Sequence, residues 1–418
     1  MSESCNSRQF SWLVKSCFPN PQQDIHHNHR VVTTSLHSTT AGKASTEDQS
    51  ISSLPHDLLL ECLSRVAHSS LFSISLVCRR WAHLLHSSDF YQLRRCHGRL
   101  RHTVFAVAVT DSALHTASHR IGHDASWKMA SFTAEDVLCF HHLFSHARLS
   151  AIGRHIYIIG RTAMLRCDTW TGTVTARSGM IFPRKKFAAA VVYGKIYVSG
   201  GASRSSAVEE YDPETDTWLT VADAPRRRYG CIGASVDGVF YVIGGLKIGS
   251  SGNENSRAAG AEAHVYASSM DLYDVEARGW LRSRSVPGGG CVVAACAAEG
   301  HIYVLASHAV ELSFWRFGAR KKSGGGGFGE WCRVKSPPLP AQFRLDSTVR
   351  FSCVGVGDKV ALVQVMGCID DLLRRGGRST RGLKEGLVLV YDCAAGEWSR
   401  EADLPEVIRR AACVSVEC

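Results

Sequence analysis

A chain of 418 residues exceeds what one simple core holds and points to two or three domains. Its 45% apolar and 21% charged residues exclude a wholly disordered, collagen-like or coiled-coil chain. The formal charge of +10 belongs entirely to residues 51–418, because four basic and four acidic residues balance over the first fifty. A basic folded part implies an acidic partner, whether protein, phosphate or nucleic acid.

Sixteen cysteines are too sparse for a small disulfide scaffold. They sit in apolar runs such as Cys291-Val-Val-Ala-Ala-Cys296, the setting of buried, reduced thiols in an intracellular protein of the nucleus or cytoplasm. Met1 to Asn20 lacks the compact apolar stretch of a secretory signal. No apolar run approaches the roughly 18 residues of a membrane-spanning helix.

Residues 1–50 hold 14 Ser or Thr and little apolar content, which predicts a disordered tail that cannot offset its own ordering entropy. From Ile51 the pattern becomes helical. Leu58, Leu59, Cys62, Leu63 and Val66 follow Leu54-Pro55 at the spacing of one helical face, and Pro55 suits a first helical turn. Leu71, Ile74, Val77, Cys78, Trp81, Leu84 and Leu85 form a second such segment, followed by Phe90 and Tyr91. Helices this short cannot hide all of these side chains against each other, so part of the apolar surface is expected to meet a partner.

Beyond about Arg101 the period switches to two, and internal repeats emerge. Ile196-Tyr-Val-Ser-Gly-Gly201 recurs as Phe240-Tyr-Val-Ile-Gly-Gly245, as Ile156-Tyr-Ile-Ile-Gly160, and as Ile302-Tyr-Val-Leu305 without the glycines. Tyr211-Asp212, Tyr273-Asp274 and Tyr391-Asp392 are each followed by a tryptophan seven residues after the tyrosine, namely Trp218, Trp280 and Trp398. Each unit makes four short strands. A single such sheet cannot bury both faces, so the units should stack radially as a propeller. The aspartate opens the turn between third and fourth strands, and the tryptophan fills the gap between neighbouring blades.

These residues resemble the kelch repeat, a Gly-Gly pair, a Tyr-Asp and a spaced Trp. Residues 51–97 resemble an F-box, through Ser53-Leu-Pro-His-Asp-Leu58, Cys62-Leu63, Ser75-Leu-Val-Cys-Arg-Arg-Trp81 and Asp89-Phe90. Together they resemble the plant F-box/kelch-repeat proteins over nearly everything after residue 50. The expected fold is a small all-α module followed by an all-β propeller over 101–418. Repeats fall near 146–183, 187–225, 229–287, 291–340 and 347–405. Thr103 to Phe132 lacks a first strand, and 411–418 matches one, so the C-terminal strand should close a ring of six blades.

The resemblance implies a non-catalytic substrate receptor of a Skp-cullin-F-box ubiquitin ligase. The F-box would dock on a Skp-family adaptor, and through it a cullin, by Leu54, Pro55, Leu58, Leu63, Val77 and Trp81, which match the family's adaptor-contacting pattern. Leu59, Ile74 and Leu84 are expected to pack the helices together. Strands alternate direction across a blade, which places the loops between blades and those between second and third strands on one face. That face collects Arg184, Lys185, Lys186, Arg226, Arg227, Arg228, Arg409 and Arg410, with the insertion carrying Arg374, Arg375, Arg378 and Arg381. It would bind an acidic or phosphorylated segment of a substrate protein through charge-assisted contacts; the competing role for these arginines is to bridge neighbouring blades.

No Cys-x-x-Cys pair, phosphate-cradling Gly-x-x-x-x-Gly-Lys or serine elbow occurs, so no metal, cofactor or catalytic site is expected. The alternatives are a non-degradative interaction scaffold and an enzyme working in the propeller channel. A nucleic-acid surface would need aromatics interleaved with the arginines, and only Tyr229 adjoins such a cluster.

Overall fold

A computed structural model describes residues 54–109, 114–132, 141–144, 146–202, 204–248, 264–308, 311–320, 329–339, 350–366, 386–408 and 410–418. The expected tail lies outside these residues. The chain divides between Leu100 and Arg101 into a helical unit and a β unit.

The helical unit contains α1 (His56–Ser64), α2 (Leu71–Ser75), α3 (Arg79–Leu85) and α4 (Ser88–Cys96). Pro55 stands at the α1 N-cap, where its missing N–H costs nothing. Leu59, Leu60, Leu63, Leu71, Ile74, Leu84, Leu85 and Phe90 form the core. Each such side chain contributes roughly 1.5–3 kcal/mol on burial. The Ser87 hydroxyl accepts the Phe90 N–H and starts α4. Arg94, also buried, donates to the Ser64 and Val66 carbonyls and so satisfies acceptors left over at the end of α1.

The β unit is a six-bladed propeller of four-stranded antiparallel sheets. One sheet joins His102–Val109, Leu114–His119 and Lys128–Phe132 to the C-terminal strand Ala412–Glu417, with Val104 opposite Ser415. The other five lie within 148–177, 188–223, 232–285, 291–334 and 350–400. The leading strands Arg148–Ile152, Ala188–Val192, Ile232–Val236, Cys291–Ala298 and Arg350–Val356 pack neighbour on neighbour. Ala412–Glu417 bridges the last of these to the first. The ring is therefore closed by the end of the chain, which leaves no leading sheet edge open.

Small residues let the leading strands converge. A Cβ on Gly233 would strike the Ala189 carbonyl of the preceding blade, and one on Gly355 the Ala297 carbonyl. At the same two junctions Ser235 donates to the Val191 carbonyl, and the Cys353 and Cys296 sulfurs lie 3.2 Å apart. Five of the twelve cysteines among the described residues are nevertheless exposed, including Cys62, Cys78 and Cys96 of the helical unit. The expectation of mostly buried thiols is thus corrected: among these twelve only Cys231, Cys296 and Cys418 are buried, and four more are half-buried.

The repeat motif has a physical basis at each position. Tyr211 pairs with Trp218, Tyr273 with Trp280 and Tyr391 with Trp398 across third and fourth strands, with ring centroids 5.1, 5.2 and 5.2 Å apart. A spacing of seven is the length of that hairpin. The carboxylates of Asp212, Asp274 and Asp392 accept N–H groups two residues on. Trp218, Trp280 and Trp398 donate their indole N–H to the Ser178, Asp223 and Lys335 carbonyls beside the preceding blade. Trp127 does the same to Ala402, across the closure.

Candidate functional site

In the helical unit the apolar side chains divide into two sets. Leu58, Leu76 and Val77 are 55%, 66% and 59% exposed, and Pro55 is exposed beside them in sequence. Leu54 and Trp81 are half-buried. The Arg80 guanidinium donates to the Leu54 carbonyl at 3.0 Å and ties the segment ahead of α1 to α3. Leu63 departs from the expected adaptor set: it is buried at the back of α1 with Leu59 and Leu60, because positions one turn apart on this helix face the core. Leu76 was absent from that set, since it falls off the helical apolar period, in the turn between α2 and α3.

The basic residues of the propeller also divide. Arg184 is 1% exposed and donates to the Glu209 carboxylate and to the Gly200 and Ala207 carbonyls. Arg228 is fully buried and donates to Asp271 and to the Gly244 carbonyl. Both therefore belong to the blade interior, and their place on a substrate-binding surface is corrected. Each stands four residues before a leading strand and reaches the glycine pair of its own blade, plus a carboxylate two residues before the Tyr-Asp step. Glu209 and Asp271 were legible as carboxylates on a third strand, a position that needs a cationic partner once buried.

Arg226 is partly exposed, pairs with Asp271 at 2.5 Å and lies over the Tyr266 ring at 5.4 Å. Arg227 is half-buried, and Lys185 and Arg410 are exposed. Arg374, Arg375, Arg378, Arg381 and Arg409 lie outside the described residues. Arg320 packs over Gly300, in the hairpin between first and second strands, and so belongs to the opposite face.

Two residues ahead of the leading strands stand His146, Lys186, Gly230 and Arg410, all with left-handed backbone, at φ 63°, 55°, 77° and 59°. Glycine takes that conformation freely, whereas the other three hold it under strain. Arg148 and Arg350 are the first residues of their leading strands and point to the same mouth of the ring as Lys185 and Lys186. Both escaped notice in the sequence because each stands alone rather than in a basic run.

The F-box domain profile matches residues 51–93, and the Kelch motif profile matches 183–225. An F-box/kelch-repeat protein of Arabidopsis thaliana is 61% identical over 424 residues and covers 100% of both chains. A second protein of that description from the same plant is 28% identical over 69% of each chain. Among solved structures, that of YjhT covers 62% of this chain and 84% of its own, at 17% identity and a TM-score of 0.44.

Proposed function

Because the chain belongs to the F-box/kelch-repeat proteins, we propose that it is a non-catalytic substrate receptor of a Skp-cullin-F-box ubiquitin ligase. Its helical unit docks on a Skp-family adaptor, and its propeller captures the protein to be ubiquitinated. The observation that carries the reading is the exposed set Pro55, Leu58, Leu76 and Val77 on a unit whose other large apolar side chains are buried or half-buried. An isolated unit of four short helices gains nothing by leaving two leucines and a valine in water, whereas a helix-in-groove partner gains their burial. Leu54 and Trp81 border this set, and Leu63 supports it from behind.

On the propeller, Lys185, Arg226, Arg227 and Arg410 remain on the capture face, with Arg184 and Arg228 holding the loops that carry them. An acidic or phosphorylated segment suits this face, and blade loops of this kind tolerate the variation that distinguishes one client from another.

The test is co-precipitation of the full chain with a Skp-family adaptor. Leu58→Asp with Val77→Asp should abolish capture of the adaptor while leaving the thermal unfolding midpoint unchanged, since neither side chain is in the core. Retention of the adaptor by that variant would refute the docking surface. Recovery of the adaptor without any ubiquitinated client would instead favour a scaffold that does not lead to degradation.

A further inference from the structure

One mouth of the propeller channel carries cations that nothing in the described protein neutralises. Lys185 and Lys186 stand three and two residues ahead of one leading strand, Arg148 opens the one before it, His146 stands two residues ahead of Arg148, and Arg350 opens the leading strand of the sixth blade. All six leading strands run the same way around the ring, so these five residues share one end of it.

The site is built rather than frayed. Arg148 donates from Nε to the Phe187 carbonyl at 2.8 Å and from Nη2 to the Cys231 carbonyl at 3.1 Å, so its guanidinium is fixed across two neighbouring blades. The Lys186 ammonium lies 5.4 Å from the Tyr229 ring centroid. His146 and Lys186 hold strained left-handed backbone, a cost that persists where the surroundings impose it.

Elsewhere in the propeller the fully buried arginines have carboxylate partners: Arg154 with Asp168, Arg184 with Glu209 and Arg228 with Asp271. Among the described residues, no carboxylate pairs with His146, Arg148, Lys185, Lys186 or Arg350. We propose that this mouth is an oxyanion site, in which Lys185, Lys186, Arg148 and Arg350, with His146 at the rim, seat a phosphate or carboxylate group of the captured protein.

The five groups respond to each other as a cluster. Displaced water, then the charges of Lys186, Lys185, Arg350 and Arg148, pull the pKa of His146 down to about 4. Burial, Arg350, Lys185 and Arg148 lower that of Lys186, and burial with Arg350 lowers that of Arg148, against the opposing influence of Cys231. An anion seated among them reverses the repulsion, so its binding raises the affinity of His146 for a proton.

The identification of the anion as part of a captured protein rests on the proposed function; the site itself does not. The experiment follows the imidazole titration of His146 by NMR in the full chain, with inorganic phosphate, acetate or chloride at equal ionic strength. Phosphate or acetate should move the His146 titration upward and chloride should not, and whichever of the two binds tighter names the group. Lys186→Glu and Arg350→Glu should each weaken that binding about tenfold or more, because each removes a charge-assisted contact, whereas Arg320→Glu, on the opposite face, should not. An unchanged His146 titration, or an undiminished response in Arg350→Glu, would overturn the site. If phosphate binds but Lys186→Glu still captures the client, the client is not the anion's source. If that variant loses the client while phosphate never binds, protein capture stands and the oxyanion site falls.

Discussion

The Arg184 guanidinium and the Glu209 carboxylate meet at 2.6 Å with neither side chain open to water. The pair is completed by the Gly200 and Ala207 carbonyls, so every nitrogen of the guanidinium donates inside one blade. Arg228 and Asp271 repeat the arrangement one blade on. Removing one partner strands a buried charge: Arg184→Ala or Glu209→Ala should each cost about 3–5 kcal/mol. Arg184→Met with Glu209→Leu should cost less than the sum of the two single changes. Urea unfolding of the four proteins makes the comparison.

The leading strands approach so closely that a methyl group has no room at two junctions. Gly233→Ala and Gly355→Ala force Ala189 and Ala297 backbone aside, an overpacking cost of about 1–3 kcal/mol each. Gly194→Ala, on a hairpin where a Cβ meets nothing, carries only the cost of its left-handed φ of 76°. Thermal unfolding should therefore rank the inner-strand variants at least as damaging, despite their ordinary φ.

The cross-blade indole bonds predict a uniform, smaller effect. Trp218→Phe and Trp398→Phe each lose one hydrogen bond and keep an aromatic ring against Tyr211 or Tyr391. A loss of about 1 kcal/mol is expected in each case, measured by denaturant titration.

Stability should fall in two stages as the solution is acidified. His146 titrates at about 4 in the folded protein against an ordinary 6.5, so protonation favours the unfolded chain and stability declines as pH drops through that interval. A second decline follows below the usual carboxylate range. The hydrogen bond from Arg120 holds Asp124 down to about 2. Burial opposes ionisation of Asp168, but the His155 hydrogen bond and the Arg154 charge keep it well below its ordinary value. Stability from these carboxylates is present above about pH 4 and is lost toward 2. Urea midpoints at pH 8, 5 and 3 should decrease in order, and His146→Gln should shrink the first step, to which His301, also held low by burial, contributes, while leaving the second.

The architecture was written in the sequence because its signals are local. Tyr391 and Trp398 lie seven residues apart whatever surrounds them, and Ala412–Glu417 reads as a strand with no blade of its own. The partition of side chains between surface and interior was not legible in the same way. Arg184 and Lys185 are adjacent in one basic run, yet the first is inside a blade and the second in water, because Arg184 alone finds the Glu209 carboxylate and the Gly200 and Ala207 carbonyls. Leu63 and Leu58 likewise share an apolar helix, and only the position of α4 against α1 decides which is covered. The mouth residues His146, Arg148 and Arg350 come together only through ring closure, which brings the sixth blade's leading strand to the second through the C-terminal strand.

Two separate surfaces on one chain are the core of this account, and their independence is measured most directly by quantifying adaptor and client together. Full-length protein should be isolated from cells and both partners counted by mass spectrometry. Leu58→Asp with Val77→Asp should lose the adaptor and retain or accumulate the client, whereas Lys186→Glu with Arg350→Glu should lose the client and retain the adaptor. Loss of both partners by either folded variant, or retention of both, would contradict it.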